Sequence, residues 1–149
     1  MKPGGISVVE QAAAARRKLA ARYRIRASAA PDARTAAADT LLLAVKPQDM
    51  RAAAAPLAGS VRGKLVISIA AGIRVPTLQR WLPETAIIRA MPNTPCLIGE
   101  GMTVLAPADD VSEARRAFAR EIFESVGRCL ELVDKHMDAV TSLNGSGPA

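Results

Sequence analysis

Aromatic residues are nearly absent: two Phe, one Tyr and one Trp make up 3% of the 149 residues. A core must therefore be assembled from Ala, Val, Leu and Ile. The shortage also leaves little surface on which bases could stack. The basic residues are scattered, with small clusters only at Arg16-Arg17-Lys18 and Arg115-Arg116, so nucleic acid is not the expected partner. Cysteine is scarce too. Cys96 and Cys129 form neither a disulfide framework nor a zinc spacing, and both read as free thiols of a reducing compartment. His136 is the single histidine, and no Ser/His/Asp arrangement or metal cluster can be built around it. No apolar run approaches the length that crosses a bilayer, so no membrane partner is expected. No secretion signal follows "MKPGG", and the expected location is the cytoplasm.

What is present suits a folded domain of ordinary size. Half of the chain is hydrophobic and 23% is charged. The formal net charge of +6 favours anionic ligands such as a phosphorylated cofactor or an acidic metabolite.

Short apolar runs alternate with helical stretches. Strands are expected at Ile6–Glu10, weakly at Arg24–Ser28, at Leu41–Val45, Lys64–Ala70, Ala86–Met91, Gly101–Ala106 and Cys129–Val133. Helices are expected at Ala12–Tyr23, Pro31–Ala38, Asp49–Leu57, Val75–Leu82 and Lys135–Leu143, with a further one following Asp110. For that last helix Asp110 with Glu113 fits a capping box, and Gly127 stands where a C-terminal cap belongs. "LLLAV" is uninterrupted, as in a parallel strand covered on both faces. The alternation predicts an α/β domain, doubly wound, with a mostly parallel sheet and helices on both faces.

In such sheets ligands bind beyond the carboxyl ends of the strands, and three of those ends are unusual. "AVKPQDM" stops a strand with a proline and sets Lys46 where a negative ligand would sit. "SIAAG" ends the next with small residues, which let a ring or ribose approach the backbone. "RAMPNTP" ends a third with Asn93, an amide donor and acceptor held between two prolines. Each has a plain alternative: an exposed lysine, helix–sheet packing, or an asparagine in a rigid turn. Three neighbouring ends of this kind favour a binding crevice. Cys96 follows the third without an evident base and reads as a packed thiol.

"AVKPQDM", "VISIAAGI", "IIRAMPNTPCLIGEGMTVL" and "SGPA", in this order and spacing, resemble pyrroline-5-carboxylate reductase from about Ile6 to Ala149. The resemblance implies a Rossmann-like NAD(P)-binding domain followed by a helical dimerisation domain. Residues 1–143 would be the dinucleotide-binding part and 144–149 the start of the helical one. It implies that Ala44, Val45, Lys46 and Pro47 line the ribose and diphosphate of the cofactor. Ile69, Ala70 and Ala71 would lie by the nicotinamide, and Asn93 near the nicotinamide and substrate. The implied reaction is reduction of 1-pyrroline-5-carboxylate to L-proline by NADP(H) or NAD(H), in a homo-oligomer. Glu10, ending the first strand, would meet the adenosine ribose. A carboxylate there suits a free 2′-hydroxyl, whereas Arg16 and Arg17 suit a 2′-phosphate.

Two features of the resemblance are missing. No G-x-G-x-x-G occurs, so the pyrophosphate lacks its usual cradle of N–H groups. Nothing follows "SGPA", where the helical domain would begin. The expectation is a truncated domain without turnover of its own. Its central strand is absent, so "ISVVE" either shifts beside "LLLAV" or leaves a slot open. Asn144 stands where serine is usual, and Pro31 lies near a polar cofactor contact. The alternatives are a related dehydrogenase with another substrate, or a non-catalytic binding module on the same scaffold.

Overall fold

The computed structural model describes residues 3–145; "SGPA" lies outside them. The chain divides into two compact units, Met1–Ala38 and Asp39–Ala149.

In the first unit, β1 (Ser7–Val9) pairs in parallel with β2 (Arg26–Ser28), and Val8 stands opposite Ala27. The crossover is α1 (Ala13–Tyr23), built from strong helix formers. It stops at Arg24, which takes the left-handed conformation at φ 53°. α2 (Ala33–Ala37) follows Pro31 and is capped by Asp32. The Asp32 carboxylate accepts the backbone N–H groups of Arg34 and Thr35, both at 3.0 Å. The Thr35 N–H, first among these donors, holds the carboxyl below the usual aspartate range.

The second unit is built on a five-stranded sheet, ordered β3 (Thr40–Leu43), β4 (Leu65–Ser68), β5 (Ala86–Met91), β6 (Gly101–Pro107) and β7 (Gly127–Glu131). β3, β4 and β5 run parallel, β6 reverses, and β7 runs parallel to β6. The expected mostly parallel α/β sheet is therefore present. Every residue of β4 is buried, as are the first five of β5. This is the continuous apolar reading of a strand covered on both sides. The crossover helices α3 (Met50–Ala54) and α4 (Val75–Trp81) contribute Met50, Ala54, Val75 and Leu78 to the core. α5 (Glu113–Glu124) contributes Ala119 and Phe123. α6 (Met137–Val140) buries Met137 against Val104 and Ala106.

Four expectations are corrected. β3 is not covered on both faces: Leu41 and Leu43 are buried, but Leu42 is 47% exposed. Among the described residues it pairs only with β4 and stands at the edge of its sheet, so a long side chain can point to solvent. α5 is capped at Ser112 rather than Asp110, and without a side-chain capping bond. Gly127 is not a helix cap: α5 ends at Glu124 with Ser125 as its cap, and Gly127 opens β7 with φ 151°. The reason is a close approach of backbones. A Cβ on Gly127 would fall on the backbone of Gly101, and one on Gly101 would fall on Cys96. The helix expected at Lys135–Leu143 is broken into a 3-10 turn at Asp134–His136, the single turn of α6, and a π turn at Thr141–Gly145.

Candidate functional site

The register fixes the geometry of the site. Leu43 stands opposite Ser68, and Ser68 opposite Arg89, so the carboxyl ends of β3, β4 and β5 lie side by side on one rim of the sheet. Ala44–Pro47 leave the first of them, Ile69–Ala71 the second and Asn93 the third. Eight of the nine predicted site residues thus share that rim. The ninth, Glu10, ends β1 in the other unit.

After β3 the chain stays extended at Lys46, φ −61° and ψ 145°, and Pro47 opens a 3-10 turn over Pro47–Asp49. The fixed φ of proline suits the first position of such a turn. Lys46 is exposed, and its ammonium has no carboxylate partner among the described residues. After β4 the Ile69 N–H still bonds the Leu43 carbonyl at 3.2 Å, so the strand pairing persists into the rim. The buried Ser68 hydroxyl accepts the Ala70 N–H at 3.3 Å, turning the chain. Gly72 completes the turn at φ 73°, with no heavy atom within 4 Å of where a Cβ would stand. Gly72 facing open space, on the rim that carries the exposed Lys46, suits a flat ligand carrying negative charge.

Asn93 does more than decorate a turn. Its Oδ1 accepts the Met102 N–H at 2.9 Å, and its Nδ2 donates to Asn144 Oδ1 at 3.2 Å. Asn144 Nδ2 in turn donates to the carbonyls of Met91 at 2.9 Å and Met102 at 3.0 Å. These bonds bear out the structural reading of Asn93, an asparagine that braces its turn. Cys96 packs with its Sγ 3.9 Å from Thr103 Oγ1. Burial, above all, pushes the Cys129 thiol up to about 11.

Around Glu10 the loop is braced from within. The Glu10 carboxylate accepts the Ala12 N–H at 2.7 Å, and Arg16 donates to the carbonyls of Glu10 at 2.7 Å and Gln11 at 3.1 Å. A carboxylate and a guanidinium thus share the loop after β1. The first unit also has a cavity of about 380 Å³, lined by residues that include Arg26, Ser28, Asp32 and Arg34. None of the nine predicted residues lines it.

Sequence reasoning missed one ionic network. Arg89, 2% exposed in the middle of β5, pairs with Asp134 at 2.7 Å, and Asp138 stands 3.9 Å away. Asp138 also pairs with Arg74 at 2.7 Å. Hydrogen bonding from Arg74, then its charge, holds the Asp138 carboxyl below the usual range. The signal was an arginine inside the apolar run "AIIRAM": a permanent cation buried in a strand requires a carboxylate from elsewhere.

Known proteins resemble this chain in sequence and in fold. Residues 3–72 match the family model described as NADP oxidoreductase, coenzyme F420-dependent. The chain is similar to the pyrroline-5-carboxylate reductase of Synechocystis, 46% identical over 149 residues, which cover 99% of this chain and 55% of that relative. Its fold matches a pyrroline-5-carboxylate reductase from Coxiella burnetii with a TM-score of 0.92 at 28% identity, over 98% of this chain and 56% of the other. It also matches the Plasmodium falciparum pyrroline carboxylate reductase with NADP bound. There the TM-score is 0.78 at 30% identity, over 83% of this chain and 48% of the other. The chain spans about half the length of the relatives it matches.

Proposed function

We infer that this chain is the nucleotide-binding half of a pyrroline-5-carboxylate reductase, since it resembles such enzymes in sequence along its whole length and in fold along half of theirs. The proposed activity of the whole protein is reduction of 1-pyrroline-5-carboxylate to L-proline, with NADP(H) favoured over NAD(H) as the reductant. The observation that carries this reading is the shared rim of β3, β4 and β5, where Lys46, Ala71 and Asn93 end adjacent, in-register strands.

The residues present fit the cofactor. Lys46 offers an exposed cation to a diphosphate, and the half-buried Ala71 and the open Gly72 leave room for a planar ring. Ala44, Val45 and Pro47 shape the ribose side, and Ile69 backs the ring. Within the first unit Glu10 and Arg16 share the turn after β1, and a guanidinium suits a 2′-phosphate. When bound, the dihydronicotinamide supplies a hydride to the imine carbon. The chain's own part is to hold and orient that ring, to place an amide at Asn93, and to neutralise phosphate charge. We assign residues 144–149 to the start of the helical part, and oligomerisation to that part of the whole protein rather than to this chain. We place the protein in the cytoplasm; no helix among the described residues is long and apolar enough to cross a membrane.

Titration of the purified chain with NADPH, followed by nicotinamide fluorescence, tests the reading. Binding is expected to be weak, because the sequence has no Gly-rich loop to cradle the pyrophosphate, and to weaken further in Lys46→Glu. NADPH binding that ignores both Lys46→Glu and a bulky replacement at Ala71 would sink the assignment. A chain joined to the C-terminal half of the Synechocystis relative is expected to oxidise NADPH only when pyrroline-5-carboxylate is supplied.

A further inference from the structure

We propose that Asn144 is a positioning residue that locks the Asn93 amide in one orientation. The lock leaves one Asn93 Nδ2–H as a fixed donor for a carbonyl or carboxylate oxygen of the bound ligand. The ligand half rests on the cofactor reading above; the lock does not.

A primary amide is nearly symmetrical in shape, and a half-turn exchanges its donor for its acceptor. Here the neighbours forbid that exchange. The Met102 N–H can only donate, so Oδ1 of Asn93 must face it, as it does at 2.9 Å. The Met91 and Met102 carbonyls can only accept, so both must face Nδ2 of Asn144, at 2.9 and 3.0 Å. Asn144 is then left with Oδ1 toward Asn93, which must answer with Nδ2, at 3.2 Å. Turning either amide over sets like groups against each other. Backbone groups at the end of β5 and in β6 thus dictate which atom of Asn93 is nitrogen. Asn144 uses both of its hydrogens on them, whereas a serine hydroxyl has only one.

Among the described residues one N–H of Asn93 has no assigned partner, on a half-buried residue at the rim shared with Lys46 and Ala71. Its partner must be an acceptor. The two oxygens of suitable chemistry are the carboxamide oxygen of the nicotinamide and the carboxylate of the amino-acid substrate.

Side-chain amide NMR of the 149-residue chain tests the lock without any ligand. Both Nδ2 protons of Asn144 are expected to exchange slowly with water, and the two of Asn93 unequally, one slow and one fast. In Asn144→Ala the slow Asn93 proton is expected to lose its protection. Asn144→Ser retains an acceptor and is expected to keep part of it, and serves if the alanine variant does not fold. Equal exchange of the two Asn93 protons in the parent chain overturns the lock, as does a difference that survives both substitutions. Reduced nicotinamide mononucleotide and L-proline are then titrated separately. The fast Asn93 proton alone is expected to shift and slow with one of them, and which one identifies the oxygen. A ligand that shifts Lys46 and Ala71 but not Asn93 overturns the donor assignment. If neither ligand shifts any rim resonance, the cofactor reading and the ligand half fall together, and the exchange data still decide the lock.

Discussion

Arg89 cannot shed its charge by losing a proton, so its burial in β5 commits the fold to Asp134. Removing the carboxylate should cost more than removing the buried cation, because the partner left behind by the second change reaches solvent. Asp134→Ala leaves an unpaired buried cation, a loss of about 3–5 kcal/mol in general. The lower end is expected here, because Asp134 is 25% exposed and Asp138 remains nearby. Arg89→Met keeps the volume and discards the charge, and its loss in urea unfolding should be the smaller of the two. The reverse order would mean that the pair is a net source of stability. This network was not legible in the sequence beyond the misplaced arginine, since its partners lie 45 and 49 positions away and nothing local marks them. Lys46, Ala71 and Asn93 were legible because each breaks an apolar strand with a residue that a strand does not want. Asn144 was visible only as a departure from serine; its three bonds, with Asn93, Met91 and Met102, need coordinates.

At the level of elements, periodicity located strands and helices well where the core enforces them, as in "VIS", "AIIRAM" and α5. It failed where a contact between distant backbones decides. Gly127 reads as a helix cap by position, but the start of β6 crowds it, and β7 could not begin there with a side chain. Gly127→Ala should destabilise the second unit by about 1–3 kcal/mol, the usual cost of overpacking, and chemical denaturation would measure it. Leu42 shows the other limit. An apolar run says that a strand is apolar and not that both faces are covered. Its exposure on an edge strand predicts that Leu42→Lys leaves stability within about 0.5 kcal/mol. The charge should lower light scattering on storage by discouraging edge-to-edge pairing. A large stability loss would mean that the Leu42 face is covered in solution.

For the molecule as a whole, acid is the expected weak point. The Asp32 carboxyl is held down chiefly by the Thr35 N–H, and that of Asp138 chiefly by the Arg74 hydrogen bond. A native value below the unfolded one means that the unfolded chain binds more protons in between. That contribution is complete above the ordinary aspartate range and is lost as pH falls through the depressed native values. The net charge of +6 grows as carboxylates are neutralised and adds self-repulsion. Melting temperatures followed by circular dichroism should therefore drop on acidification below that range, and Asp138→Asn should flatten part of the slope. A melting curve independent of pH there would contradict both assignments. The reversal of β6 gives the same molecule a practical asymmetry. It carries the turn holding the exposed Asp109 and Asp110 away from the Lys46 rim, to the side where β5 begins. A dye, tether or resin attached at that turn would leave the opposite border clear for whatever docks there.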